Sequence, residues 1–395
     1  IWQILPLSPT GYGDSPYQSF SAFAGNPYFI DLDTLVEEEL LTREEIDACY
    51  WGDDEAQVVY DTVFWYRFPL LKKAHARSEF HEEEGYEKFY MESWYWLNDY
   101  AFYMALKFHF DNQEWLAWPE DIRFRKKDAV ERYKEELKEE IDFWKFLQYK
   151  FFQQWKKLRA YANSQGISII GDIPIYVALD SADVWTHPEL FLLDEENLTP
   201  LKVAGVPPDA FSEDGQLWGN PLYRWDVQEK TDFAWWKERM KASGRLYDVV
   251  RIDHFIGVVQ YYAIPAGAED GKAGEWLKGP GKKLTDAIGQ VIGDTKIIAE
   301  DLGIFVPEVK ALLEETGYPG MKIIEFAFSG DRFNEHLPHM YTPNSVVYGG
   351  THDNETLVGY FKPEERQWWE LQYIADYMGV SHQDQVVDRV MFTAY

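Results

Sequence analysis

Four short apolar runs in this chain each end on a carboxylate. The stretch "YDVVRIDHFIG", residues 247–257, is a β-branched run that delivers Arg251, Asp253 and His254 within four positions. In the same way "KIIAEDLG" (296–303) delivers Glu300 and Asp301, "SVVYGGTHDNET" (345–356) delivers His352, Asp353 and Asn354, and "ISIIGDIPIYV" (167–177) delivers Asp172. A single strand finishing in charge is an ordinary strand end, with Arg251 and Asp253 a surface pair. Repetition predicts something more specific: parallel strands whose carboxyl ends face one pocket, as in a (β/α)8 barrel, where the opposite face serves stability.

The rest of the chain fits such a frame. The opening "IWQILPL" has a buried-strand pattern and runs into a long loop of glycine, proline, serine and tyrosine, "SPTGYGDSPYQSFSAFAGNPYFID". From about residue 40 to 163 charged and aromatic residues recur at helical spacing. Beyond Gly166, strand patterns at Ile167, Tyr247, Lys296, Met321 ("MKIIEFAF") and Ser345 alternate with helical segments, which predicts a parallel sheet. Three parts are expected: 1–39, a barrel strand and a substrate loop; 40–163, a mainly helical insertion; and 164–395, the remaining strands with an active-site loop insertion near 203–225. The Glu and Lys run from Glu131 to Glu140 reads as a solvated helix face with i,i+4 pairs.

Composition removes several function classes. The chain carries 38 Lys and Arg against 68 Asp and Glu, a formal charge of −30, so a polyanion such as nucleic acid is repelled. One cysteine, Cys49, excludes an internal disulfide and fits a reducing compartment. No apolar stretch approaches the roughly 20 residues that cross a bilayer, so no membrane partner is expected.

Two carboxylates across a scissile bond are the minimum apparatus for glycosidic cleavage, one as nucleophile and one as proton donor to the leaving oxygen. Asp253 and Glu300 suit these roles, and in a retaining enzyme they sit about 5–5.5 Å apart. Their environments must then separate their pKa values, with Asp253 ionised and Glu300 protonated. Arg251 lies two residues before Asp253, on the same face of an extended strand, where a fixed cation keeps the nucleophile ionised. Asp353 is expected to face the same pocket. A rival reading makes His254, His352 and the carboxylates ligands of zinc or manganese. Adjacency in "DH", "ED" and "HD" opposes it, since one neighbour of each pair points away from the pocket, and the chain has no HExxH or HxH pair. "HLPH", His336 to His339, reads as surface, and "TGYGDSP" puts Pro16 where a dinucleotide loop needs its third glycine. The triplets at Asn197 and Asn354 are chance matches to a glycosylation acceptor.

Aromatic residues make up 17% of the chain, and most serve as core. The exceptions lie in loops. Tyr12 and Tyr17 stand in the first, and Phe211 and Trp218 in "GVPPDAFSEDGQLWGNP", a connection too punctuated by proline and glycine for a helix. Such rings stack on sugar faces while Asp209 and Asn220 bond hydroxyls.

Six segments in order, "LPLSPTGYGDSPYQSFSAFAGNPYFIDL", "GDIPIYVALDSADVW", "GVPPDAFSEDGQLWGNPLYRW", "RIDHF", "IIAEDLG" and "GTHDNET", closely resemble the 4-α-glucanotransferases, also called amylomaltases or disproportionating enzymes. The resemblance spans Ile1 to about Tyr360. It implies an α/β fold, a (β/α)8 barrel of the α-amylase type, and a retaining enzyme with no metal or organic cofactor. That enzyme moves a segment of an α-1,4-glucan to the 4-hydroxyl of an acceptor glucose or maltooligosaccharide. It implies Asp253 as nucleophile, Glu300 as acid/base and Asp353 as third carboxylate. Arg251 and His352 become partners of the sugar beside the cleaved bond. Asp172 becomes a motif residue on the third strand, and Tyr12, Asp14, Ser15, Tyr17, Asp209, Phe211, Trp218 and Asn220 become substrate contacts. The loop carrying Trp218 is expected to arch over the cleft and exclude water from the glycosyl-enzyme. Family members carry a first strand ahead of "IWQILPL" and an eighth beyond the last residue, so the six readable strands correspond to the second to seventh of a barrel in a longer protein. A cytoplasmic enzyme is expected, or a plastid one if the source is a plant. The alternatives are an α-1,4-glucan hydrolase, which shares the three carboxylates, and a non-catalytic glucan-binding protein.

Overall fold

The computed structural model describes residues 1–209, 212–362, 366–380 and 385–394, apart from the Tyr12 side chain. The chain forms two compact units. The first comprises 1–250 and 257–296, the second 251–256 and 297–395.

In the first unit β1 (Trp2–Gln3) pairs in parallel with β2 (Ile169–Ile173), Trp2 opposite Ile169. β2 is buried throughout because β1 flanks it on one side and β5 (Val249–Ile252) follows on the other. Gly171 is what permits this packing: a Cβ there would stand 2.2 Å from the ring of Tyr247. The Tyr247 hydroxyl in turn accepts the Leu7 N–H at 3.3 Å. Asp248 holds the sheet to the helix before it, accepting from Ile169 N (2.8 Å), Arg159 Nη2 (2.7 Å) and Asn163 Nδ2 (2.8 Å). Among the described residues β1 is the outer strand of this sheet, and Ile1 is 90% and Trp2 43% exposed there.

Among the described residues no strand lies between Gln3 and Ile169, and the segment is helical. The long helices Tyr60–Arg77, Glu84–His109 and Lys138–Ser164 pack through rings, with Trp144 against Phe68, Phe108 and Tyr100 at 5.3 to 6.1 Å. Glu84–His109 has acidic residues in its first turn and basic ones in its last, matching the helix dipole. A buried Lys150 is neutralised by Glu38 at 3.0 Å and Glu83 at 2.8 Å. The Glu and Lys run is exposed apart from buried Tyr133 and half-buried Leu137 and Glu140, with Lys138 paired to Glu135, three residues before it, at 3.5 Å.

Sequence reasoning missed a second sheet in this unit. β3 (Lys202–Val206), β4 (Gln216–Pro221), β6 (Gln260–Pro265) and β7 (Glu275–Lys278) form an antiparallel sheet in the order β4-β3-β6-β7. Trp218 and Asn220, expected in a loop, therefore lie on β4. The turn before it needs Gly215, whose φ is 70° and whose Cβ would come 2.5 Å from the Val206 carbonyl oxygen.

In the second unit the last residues of β5 precede β8 (Lys296–Ala299), which enters this unit at Ile297. β9 (Gly320–Ile323) pairs in parallel with β10 (Ser345–Tyr348), Ser345 opposite Gly320. Beneath them Ile324, Phe328, Leu337, Phe361, Ile374 and Val390 belong to one apolar core. The helix Pro307–Thr316 starts on proline and stops at Gly317, in the left-handed region. His336, expected at the surface, is half-buried, and its Nδ1 accepts the Ile323 N–H at 3.1 Å. Burial lowers its pKa to about 4, so the ring is neutral and able to accept. No helix among the described residues is long and apolar enough to cross a membrane.

Candidate active site

The carboxyl end of β5 and the residues after β8 assemble one tight cluster in the second unit. Arg251, 2% exposed, donates from Nη1 to Asp253 Oδ1 at 2.8 Å. Its Nε lies 3.4 Å from the sulfur of Met321 on β9. The i,i+2 spacing thus gives the pair predicted from the strand pattern. Asp253 is more open than its partner, with 28% of its side chain exposed. A carboxylate lying against a buried guanidinium and still reachable is what an ionised nucleophile requires.

Glu300 is fixed by backbone on both sides. Its N–H donates to Ile252 O at 3.0 Å and its carbonyl accepts from Phe255 N at 2.9 Å. Its carboxyl oxygens accept from His254 N at 2.7 Å and Leu302 N at 2.8 Å. His254 reaches it from the left-handed region, φ 52°, a conformation that non-glycine residues adopt sparingly. The carboxyl is buried, and burial pushes its pKa well above the carboxylate range, with the negative charge of Asp253 adding to the rise. Arg251 and the two N–H donors oppose that rise without cancelling it. Each carboxyl oxygen has two lone pairs, so accepting an N–H still leaves room for a proton. The neighbouring Asp301 turns away, its Oδ1 accepting from Met321 N at 2.7 Å and its carboxyl filling the space a Cβ on Gly320 would need. Burial also holds the His254 imidazole down to about 4.

Asp353 sits on the exposed turn after β10. Its N–H donates to Thr351 Oγ1 at 3.3 Å, and its Oδ1 is 3.3 Å from His352 Nε2. Thr351 N and Oγ1 both donate to Asn354 Oδ1 at 2.9 Å, closing the turn.

The first unit gathers most of the other expected residues. The Tyr17 hydroxyl donates to Asp172 Oδ2 at 2.7 Å, and Asp172 is 2% exposed on β2. Gln18 Nε2 donates to Asn220 Oδ1 at 3.1 Å and to Trp218 O at 3.4 Å, tying the first loop to β4. Asn220 is buried and donates to Val177 O at 2.9 Å; Trp218 is half-buried, 6.3 Å from the Tyr176 ring. Ser15 Oγ accepts from Tyr17 N at 3.2 Å, Asp14 lies 3.4 Å from Thr10 Oγ1, and Asp209 is exposed with Oδ1 accepting from Ser212 N. Phe211 and the Tyr12 side chain lie outside the described residues. Gln18 was missed in the sequence; nothing in its local pattern separates it from any loop glutamine. Among the described residues no group of three or more His, Cys, Asp or Glu is gathered closely enough to hold a metal ion.

Comparison with known proteins bears on this cluster. The sequence pattern of the family described as 4-alpha-glucanotransferase matches residues 1–395. The chain belongs to the 4-alpha-glucanotransferase family. It is 53% identical to the 4-alpha-glucanotransferase of Clostridium butyricum over 91% of this chain and 74% of that protein. It is 47% identical to that of Streptococcus pneumoniae over 100% of this chain and 78% of that protein. An amylomaltase from Streptococcus agalactiae, solved in complex with acarbose, superposes with a TM-score of 0.94 at 42% identity, covering 99% of this chain and 79% of that one. The chain is thus a transferase enzyme with the α/β fold of the amylomaltases, and neither the hydrolase nor the non-catalytic reading is favoured.

One carboxylate in this 4-alpha-glucanotransferase escaped sequence reasoning. Glu325 lies inside the run "MKIIEFAF", two residues past the end of β9 much as Asp253 and Glu300 closely follow their strands, and it is 4% exposed. The signal was present and passed over.

Proposed function

We propose that the enzyme transfers an α-1,4-glucan segment to the 4-hydroxyl of a glucose or maltooligosaccharide by retaining double displacement at Asp253 and Glu300. In the first step Asp253 attacks the anomeric carbon while Glu300 gives its proton to the departing glycosidic oxygen. The donor's reducing fragment leaves and a glycosyl ester on Asp253 remains. In the second step the now ionised Glu300 takes the proton of the acceptor's 4-hydroxyl. The freed oxygen attacks the anomeric carbon, the ester bond breaks, and both carboxyls return to their starting states. Arg251 keeps Asp253 ionised and aimed; Asp353 and His352 bind hydroxyls of the sugar at the cleaved bond. On the first unit, Tyr12, Asp14, Ser15, Tyr17, Asp172, Asp209, Phe211, Trp218 and Asn220 contact the glucan. The strands that carry these residues are read as members of a (β/α)8 barrel, with 40–163 as its helical insertion.

One observation carries this reading: a buried, proton-retaining Glu300 shares a cluster with an Asp253 bonded to a buried arginine. A carboxyl that burial raises above its ordinary range, beside one bonded to a guanidinium, suits the roles of acid and nucleophile. The test is incubation with maltotriose, following glucose and longer maltooligosaccharides by chromatography. A ladder of longer products beside glucose is expected, with Asp253→Asn lowering the rate by at least about 10³-fold. An Asp253→Asn protein as active as its parent would show that the nucleophile lies elsewhere.

A further inference from the structure

Glu325 has the chemistry of a functional group and no role in the steps above. It follows β9, and its N–H donates to Gly349 O at 3.1 Å, joining it to the chain just after β10. Its carboxyl lies against Gly350: a Cβ built there would come 2.8 Å from Glu325 Oε1 and 3.0 Å from its carboxyl carbon. Oε1 is fully buried without a hydrogen-bond partner, in a side chain that is itself 4% exposed. On the far side the Tyr360 hydroxyl donates to the Glu325 carbonyl. The Arg366 guanidinium covers the Tyr360 ring at 3.4 Å, and its Nε donates to Tyr360 O at 2.6 Å. Gly350 leads directly into Thr351, His352 and Asp353, whose turn is closed by Asn354.

A buried carboxyl with an unbonded oxygen is costly to keep and is ordinarily replaced by an apolar group or given a partner. Here the carboxyl packs against Gly350, the residue that leads into the segment presenting the third carboxylate. We propose that Glu325 is a positioning residue for glucan transfer, packed against Gly350 to set the Thr351–Asn354 turn that carries His352 and Asp353. The inference rests on the roles given to His352 and Asp353 above.

The charged groups facing Glu325 are Arg366 and Glu355, and they act in opposite senses. Burial is the largest influence and raises the pKa to about 7; Glu355 adds to the rise and Arg366 opposes it. The sign follows from a carboxyl whose folded pKa lies above its unfolded value of 4.5. The neutral form fits the fold, the penalty of ionisation begins as pH passes the unfolded value, and it is complete above about 7. A charged Glu325 then draws toward Arg366 and away from Glu355, and its hold on Gly350 is lost. The turn is set below that pH and released above it.

The experiment is the pH dependence of kcat and KM on maltotriose for the parent, Glu325→Gln and Glu325→Ala, with near-ultraviolet circular dichroism to confirm folding and Asp353→Asn alongside. Glutamine keeps the shape and cannot ionise, so the alkaline midpoint of kcat is expected to rise by about one pH unit. Alanine removes the support and is expected to lower kcat about tenfold or more with KM within about threefold. A purely structural role would lower the melting temperature and leave the pH profile of the folded enzyme where it was. A Gln variant whose alkaline midpoint coincides with the parent's overturns the inference, and it decides alone if the Ala variant does not fold. If Asp353→Asn keeps parental kcat, the role of Asp353 falls first and Glu325's with it. If Asp353→Asn is impaired while the Gln variant follows the parent, only the role of Glu325 fails.

Discussion

Glu300 holds its proton at a cost to the fold. A carboxyl whose folded pKa exceeds its unfolded pKa destabilises the native state increasingly as pH rises above the unfolded value, and the effect levels off above the folded one. Glu300→Gln removes the ionisable group and keeps one of the two backbone N–H donors satisfied through its amide oxygen, while the other comes to face the amide nitrogen, which cannot accept. The variant is expected to lose transfer by at least about 10³-fold and to gain on the order of 1–3 kcal/mol of stability at pH 8, with little or no gain at pH 4. Urea unfolding at the two pH values checks it; a stability difference between variant and parent that is the same at pH 4 and pH 8 would mean that the native carboxyl is not neutral. Asp253 is held differently. It bonds a buried guanidinium, and removing its oxygens altogether takes an ion-pair partner from that cation, which is destabilising. Asparagine, which keeps an acceptor for Arg251, is therefore the informative substitution and alanine is not.

At the scale of elements, the sheet of the first unit depends on a glycine that no active-site argument would notice. Gly171 lies inside β2, and the Tyr247 ring occupies the volume a methyl group would need. Gly171→Ala must move that ring, and with it the hydroxyl bonded to Leu7. Overpacking of this kind costs about 1–3 kcal/mol. The expected result is a lower urea midpoint with an unchanged slope, partly restored by Tyr247→Phe only if the hydroxyl's anchoring to Leu7 resists the shift. An alanine variant as stable as the parent would show that the ring relaxes freely. The same helical and sheet elements place Asp248, whose three bonds to strand and helix set the start of β5. Two residues further along that strand comes Val250, and after it Arg251.

For the molecule as a whole, a formal charge of −30 is a distributed repulsion that folding concentrates. The screening length falls from about 30 Å at 0.01 M salt to about 8 Å at 0.15 M. Added potassium chloride over that range is expected to raise Tm by a few degrees, by about as much for Asp253→Asn as for the parent, since one charge in many changes little. Scanning calorimetry at fixed pH measures it. A Tm that falls with salt would mean that attractive pairs such as Lys150 with Glu38 and Glu83 outweigh the net charge.

The sequence by itself determined the strands and their chemistry. Each of the six apolar runs read as a strand contains one, because a β-branched run bounded by turn residues has few other ways to satisfy its backbone. Arg251 and Asp253 share a face because the period of a strand is two. Family membership was also legible, since six ordered segments are a strong pattern. What a period cannot carry was left to the tertiary structure. The antiparallel sheet joins β3 to β6 across some fifty intervening residues, and Trp218 and Asn220 sit on it although their glycine- and proline-rich surroundings read as loop. Above all, the protonation of Glu300 and the reach of Glu325 to Gly350 depend on burial and on groups far along the chain. Desolvation and distance act in space, and a sequence records only order.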